Sequence, residues 1–334
     1  MVPRYVRLVG ALAVVGACGD AAIPLADLDT EALHARCERF VRCGLFTDQD
    51  ACEGYFRIVV DVNRQPSMDA GLVHYDGEAA QRCYSALAAV TCDGTARDAR
   101  VPPADCAKIF VGTIGDGDAC ENDLECKSGR CHVDTSACGD ATCCSGTCAS
   151  STRAASGAAC IDSTDCVADT YCGIDDVCHA LGQAGGQCYV DANCDYGLRC
   201  SGSSPRICEP AGTLGNTCPN GTCAEIGSVC DASGACVTAG LPDSNAACAS
   251  DAECSMYAIC DPSMHVCVSY PTLGMPCDSH GCAGDSYCDM TATPAACAPP
   301  LDDLTPCELN SECASNDCVV GPVFDECQEQ PVCK

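Results

Sequence analysis

Tryptophan is absent from this chain of 334 residues, and four of its five phenylalanines (Phe40, Phe46, Phe56 and Phe110) stand before residue 115. Large aromatic side chains supply much of the burial in an ordinary core. The last two thirds of the chain therefore exclude a conventional apolar core. Cations are scarce too: 17 Lys and Arg face 47 Asp and Glu, and no Lys or Arg lies between Arg206 and Lys334. Nucleic-acid binding needs a cationic footprint, so nucleic acid is excluded as a partner. The net charge of −30 suits a cationic partner surface, although most of these acids read as solvated exterior. The longest apolar run, Leu8 to Ala17, has ten residues. A membrane span needs about 20, so the chain has no sequence candidate for a transmembrane helix.

Recognisable catalytic and cofactor motifs are missing as well. There is no Gly-x-Ser-x-Gly elbow, His-Glu-x-x-His helix or Walker loop, and Gly115-Asp116-Gly117 lacks the strand and helix of a dinucleotide fingerprint. No two cysteines are separated by two residues, the spacing that structural zinc sites favour. The six histidines (His34, His74, His132, His179, His265 and His280) are scattered. Asp116, Asp118, Asn122 and Asp123 cluster, but the twelfth position of an EF-hand loop starting at Asp116 would be Lys127, where an acid is required. An irregular calcium site is the lesser alternative to solvated turn residues. No cofactor is implied, and the expectation is a non-enzyme.

Cysteine is what the chain has in abundance: 39 residues, an odd number. Such a framework persists only in an oxidising compartment. Arg4 and Arg7 precede the apolar run, and small residues stand just before Cys18, as in an export signal. Val15-Gly16-Ala17-Cys18 resembles the bacterial lipobox. That resemblance implies cleavage after residue 17 and a diacylglycerol thioether on Cys18, which would remove one cysteine from the disulfide pool and anchor the protein by lipid. Residues 18–28 would then be the lipidated N-terminus and linker. Gly19 rather than Asp after the lipid cysteine implies the outer membrane. The remaining 38 cysteines could form 19 bridges.

Residues 29–112 read as a small disulfide-tied helical domain. Leu33, Cys37, Phe40 and Val41 follow a helical period that Gly44 stops. Thr47 with Asp50 suggests a capping box for a helix over 48–61, with Cys52, Tyr55, Phe56, Val59 and Val60 on one face. Ala79, Cys83, Leu87 and Val90 form a third stripe, and Pro102-Pro103 introduces a short fourth helix carrying Cys106, Ile109 and Phe110. Six cysteines allow fifteen connectivities. The expected pairing is Cys43 with Cys52, Cys92 with Cys106, and Cys37 with Cys83.

From residue 115 to 333 the chain repeats, with first cysteines at Cys160, Cys188, Cys218, Cys248, Cys277 and Cys307. Five units carry four cysteines each, and turn formers precede the second cysteine. Tandem disulfide-rich modules of short hairpins and loops are the expected fold, arranged as an elongated string of beads. Pairing first to third and second to fourth is expected. That joins Cys160 to Cys172 and Cys166 to Cys178, Cys188 to Cys200 and Cys194 to Cys208, and Cys218 to Cys230 and Cys223 to Cys236. It also joins Cys248 to Cys260 and Cys254 to Cys267, and Cys277 to Cys288 and Cys282 to Cys297. The unit starting at Cys120 has seven cysteines and the one starting at Cys307 has five. With both counts odd, full oxidation requires at least one bridge between units.

Cys160-x5-Cys166-x5-Cys172, with Asp165 and Tyr171 before the later cysteines, resembles the N-terminal cysteine-rich domain of Dickkopf-type proteins. Cys143-Cys144-Ser145-Gly146-Thr147-Cys148 is similar to that family's vicinal pair. In animals the family implies secreted ligands of signalling receptors, a role that a lipobox does not carry over. The layout also resembles cysteine-rich lipoproteins of predatory, gliding soil bacteria, which implies a location in the cell envelope facing the exterior. The expected function is binding or adhesion to a cell-surface or extracellular protein. A structural spacer or protective coat without a specific ligand is the alternative.

Overall fold

The computed structural model describes residues 21–56, 64–133, 145–161, 163–202, 205–277, 281–284 and 286–301, and the strand backbone of Cys318–Val319 and Glu326–Cys327. A small disulfide-tied helical domain is followed by tandem disulfide-rich hairpin modules. The helices are α1 (Leu28–Arg42), α2 (Gln49–Tyr55), α3 (Arg64–Asp69), α4 (Gly77–Ala89) and α5 (Arg97–Arg100). Two strands, β1 (Val73–Tyr75) and β2 (Phe110–Gly112), pair antiparallel.

Local chemistry sets the helix ends. Asp76 caps α4 by accepting from the Glu78 and Ala79 amides at 3.0 and 2.9 Å. Gly44, at φ +70°, ends α1 in the left-handed region that glycine enters without strain. Asp48, and not a box from Thr47 to Asp50, caps α2 through the Ala51 amide at 2.9 Å. The helix expected over 48–61 ends at Tyr55, because Phe56 is extended and turns its ring into an aromatic cluster. Val59 and Val60 lie outside the described residues. Cys106 sits in a 3-10 turn (Cys106–Lys108), and Phe110 starts β2 rather than extending a fourth helix.

All three expected bridges of this domain are corrected. Cys37 joins Cys52, Cys43 joins Cys92, and Cys83 joins Cys106. Proximity in sequence favoured Cys43 with Cys52 and Cys92 with Cys106, but the buried faces decide the pairing. Cys37 and Cys52 are both fully buried where α1 packs on α2, and Cys83 looks inward from α4 toward the 3-10 turn. Cys43, at the end of α1, is left to meet the segment that leaves α4. Arg42 supports that junction by donating to the Ala88 carbonyl at 2.8 Å.

The modules do not form a string of separate beads. They wind around the helical domain, and each of the first six touches it. Ser67 donates to Glu125 of the first unit at 2.9 Å, and Arg97 meets Asp169 of the second at 3.4 Å. Arg100 donates to the Cys194 carbonyl of the third at 2.8 Å. The Ile226 amide of the fourth bonds the Cys92 carbonyl at 3.0 Å, and a Cβ on Gly227 would lie 2.0 Å from the Cys43 carbonyl oxygen. In the fifth, Tyr257 stacks on Phe46 at 4.9 Å between ring centroids, with Phe40, Tyr55 and Phe56 around it. Gly284 of the sixth lies against the Tyr55 carbonyl. The aromatic poverty of the repeats explains this arrangement. Their own buried clusters are mostly cysteine, so their few large apolar side chains gain most by packing on the helical domain.

Tyr257→Ala should destabilise the oxidised protein by roughly 2 kcal/mol, and Tyr257→Phe by much less, because ring packing carries the contact. Denaturant unfolding without reductant measures both; equal losses for the two variants would contradict the packing account.

Candidate functional site

Each unit is built on one frame. First joins third and second joins fourth in the five units from Cys160 to Cys297. The seven-cysteine unit uses the same frame: Cys120–Cys131 and Cys126–Cys148 make Cys148 its fourth member. Cys138, Cys143 and Cys144 then fall in an insertion outside the described residues. Third and fourth cysteines face each other across the hairpin without bonding each other, as in Cys172 and Cys178 and in Cys260 and Cys267, and the backbone of Cys318 and Cys327 pairs in the same register. By that register Cys333 follows the fourth position of the five-cysteine unit and lies outside the described residues.

Side-chain acceptors, mostly acids, complete the frame. The residue before the second cysteine reaches back to an amide just after the first: Glu125 to Glu121 at 2.8 Å, Asp165 to Ile161 at 2.8 Å, Asn193 to Tyr189 at 3.0 Å, and Glu253 to Ala249 at 2.9 Å. The residue three before the second cysteine accepts from the amide of the third. Asp123, Ser163, Asp191 and Asp251 do this at 2.6, 3.1, 2.8 and 2.8 Å. Three residues before the first cysteine the backbone is left-handed, with Gly117, Gly157, Gly185, Gly215 and Gly274 there and Asn245 in the remaining unit. The Gly215 amide bonds the fourth-cysteine carbonyl of Cys236 at 2.8 Å, and Gly157 does the same to Cys178. This spacing was legible in the sequence as a glycine or asparagine three residues before each of these cysteines.

The frame divides each unit into an inner and an outer part. Contacts with the helical domain come from around the second cysteine and the loop after it, as in Leu198, Ile226 and Tyr257. In the first unit Asn122, after the first cysteine, also donates to Ser67 at 3.0 Å; in the second to fifth units the segment after the first cysteine and the hairpin turn are left outside. Thirteen large apolar side chains are exposed among the described residues, and only Val111 belongs to the helical domain. Ile161, Tyr189 and Val190 occupy first loops; Ile174, Met264 and Met290 occupy hairpin turns, where Ile174 is 83% exposed. Side chains at equivalent positions of one frame differ from unit to unit.

Other chemistry is dispersed. His34 meets Glu53 at 2.8 Å, His179 meets Asp175 at 2.8 Å, and His132 Nε2 lies 3.0 Å from Asp165 without hydrogen-bond geometry. The sulfurs that cluster within 4.8 Å, such as those of Cys248, Cys254 and Cys267, are consumed in disulfides. Of the acids weighed for calcium, Asp116 accepts from the Ser151 amide and hydroxyl at 2.8 and 2.9 Å, and Asp123 belongs to the frame. Cys18 lies outside the described residues. No described helix is long and apolar enough to cross a membrane. No protein-family model, curated protein or solved structure matches the chain.

Asn193, 8% exposed, also accepts from the Val190 amide at 3.1 Å. Asn193→Ala should cost about 1–2 kcal/mol by stranding both amides, while Asn193→Asp keeps the acceptor used in other units. Mass spectrometry of partial reduction should find Cys188–Cys200 opening earlier in the alanine variant only.

At the hairpin turns, amides and hydroxyls hold three carboxyls below the ordinary aspartate range. The donors are chiefly the Ala235 amide for Asp231, the Met264 amide for Asp261 and the Thr291 hydroxyl for Asp289. A depressed carboxyl stabilises the turn above its unfolded pKa, and the stabilisation is lost as pH falls through the folded value. The Ser233 and Met264 amide resonances should therefore shift only below the ordinary aspartate midpoint. A midpoint at or above it would contradict the capping role.

Proposed function

We propose that this is a non-enzymatic, lipid-anchored surface protein that binds an extracellular partner through the outward loops of its cysteine-rich units. The observation that carries the reading is the exposure of large apolar side chains on the cysteine-rich stretch, twelve of thirteen among the described residues, six of them on first loops and hairpin turns. Two bridges fix each loop before contact, so little ordering entropy is lost on binding. A spacer would gain reach from separated modules, whereas winding around the helical domain gives up that reach. The acidic exterior favours a cationic partner surface. The lipobox-like segment ending at Cys18 supports attachment to the outer membrane facing outward. The resemblance to Dickkopf-type modules adds a precedent for recognition and no ligand.

Cross-linking on intact cells followed by mass spectrometry should recover one dominant partner, and Ile174→Ser with Met290→Ser should reduce its yield. Recovery of unrelated neighbours alone would remove the binding reading. Intact mass after delipidation, without reductant, should show 19 bridges and no free thiol. A free Cys18 thiol would remove the anchor.

A further inference from the structure

Cations are so few here that each can be followed to its contact. The described residues include eleven Arg and two Lys. Six are paired with acids: Arg64, Arg82, Arg97, Lys108, Arg130 and Arg199. Arg39, Arg42, Arg100 and Arg206 donate to backbone carbonyls, and the Arg36 guanidinium lies 4.0 Å from the centre of the Phe56 ring. Lys127 and Arg153 remain, both exposed and without an ion-pair partner among the described residues. Both line the same cleft.

That cleft, about 440 Å³, lies where the helical domain, the first unit and the start of the second meet. Ala107, Phe110 and Val111 form an apolar wall, and Lys127, Arg130 and Arg153 supply the charge. Arg130 is nine-tenths buried; its terminal nitrogens hold Asp165 and the Ser150 carbonyl, and its Nε has no acceptor. Asp123 also lines the cleft, with one carboxylate oxygen held by the Cys131 amide. Two cations without ion-pair partners among the described residues, in one concave site beside exposed apolar surface, match an anion carried on a compact apolar body.

We propose that this cleft binds a small phosphate monoester, with Lys127 and Arg153 taking the dianion and the Phe110–Val111 wall taking its organic part. A dianion is the charge that two unspent cations neutralise, and the guanidinium fork suits phosphate oxygens. The ligand is compact because the surrounding charge of −30 repels a polyanion. At physiological salt the field extends only about 8 Å, so a small anion meets chiefly the local cations.

Calorimetric titration of the intact oxidised protein with phenyl phosphate at near-physiological ionic strength tests the site. One saturable site is expected, with a Kd at or below about 1 mM, weakening as the monoester protonates below about pH 6. The Lys127→Gln/Arg153→Gln variant should lose about tenfold or more in affinity, the size of a lost charge-assisted hydrogen bond. Its unfolding midpoint should stay unchanged, because neither side chain has an ion-pair partner to lose among the described residues. Flotation with phosphatidic acid vesicles, against phosphatidylcholine blanks, separates a lipid source of the monoester from a free one; binding in either arm that the double variant loses supports the site. Absence of saturation in both arms, equal affinity for acetate, or an unaffected double variant would overturn it.

Discussion

The pair of bridges crossing each hairpin is the constraint on which the rest depends. Third and fourth cysteines sit opposite each other on adjacent strands, yet each bonds a cysteine upstream, so one unit closes two overlapping loops through one pair of strand positions. Each bridge contributes roughly 2–4 kcal/mol by restricting the unfolded chain. Two of them hold a segment whose buried side chains are mostly sulfur. Because order comes from the bridges, side chains between the cysteines are released from core duty. They can pack inward, as Tyr257 does, or stay outside, as Ile174 does.

Inward packing joins the helical domain and the first six units of a repetitive chain into a single body. The loop after the second cysteine differs in every unit, and the contacts it makes differ accordingly: a carbonyl for Arg100, a close backbone approach at Gly227, an aromatic ring at Tyr257. Helical domain and units therefore depend on each other. The helices leave part of their aromatic face uncovered until the fifth unit closes it, and that unit has little apolar surface to bury except there.

Much of this was legible in the sequence, in proportion to how local the signal was. The stripes of α1 and α4 and the stop at Gly44 follow from spacing over a few residues. The three bridges of the helical domain were misread because Cys43 and Cys52 are close in sequence, whereas pairing follows which faces of α1, α2 and α4 look inward. Winding of the modules was hidden for a similar reason. It rests on contacts such as Ser255 to the Leu45 carbonyl at 3.4 Å, across 210 residues, and no periodicity marks them. Tyr257 alone hinted at it, as a large aromatic in a unit otherwise poor in apolar groups.

The acidic composition also acquires a different meaning. Short 3-10 turns and tight hairpins leave amides that need acceptors, and a carboxylate supplies acceptors without donors of its own. Glu125, Asp165 and Glu253 hold amides after first cysteines; Asp123, Asp191 and Asp251 hold amides of third cysteines. Repetition of the frame multiplies these acids, so part of the charge of −30 is a consequence of building many small units. Negative charge spent on the frame carries little information about partners, and only the remaining exterior acids bear on them. Positive charge carries more, because a cation that is not spent inside the structure stands out against that background. The electrostatics of this protein are better read from the placement of its few Lys and Arg than from its total.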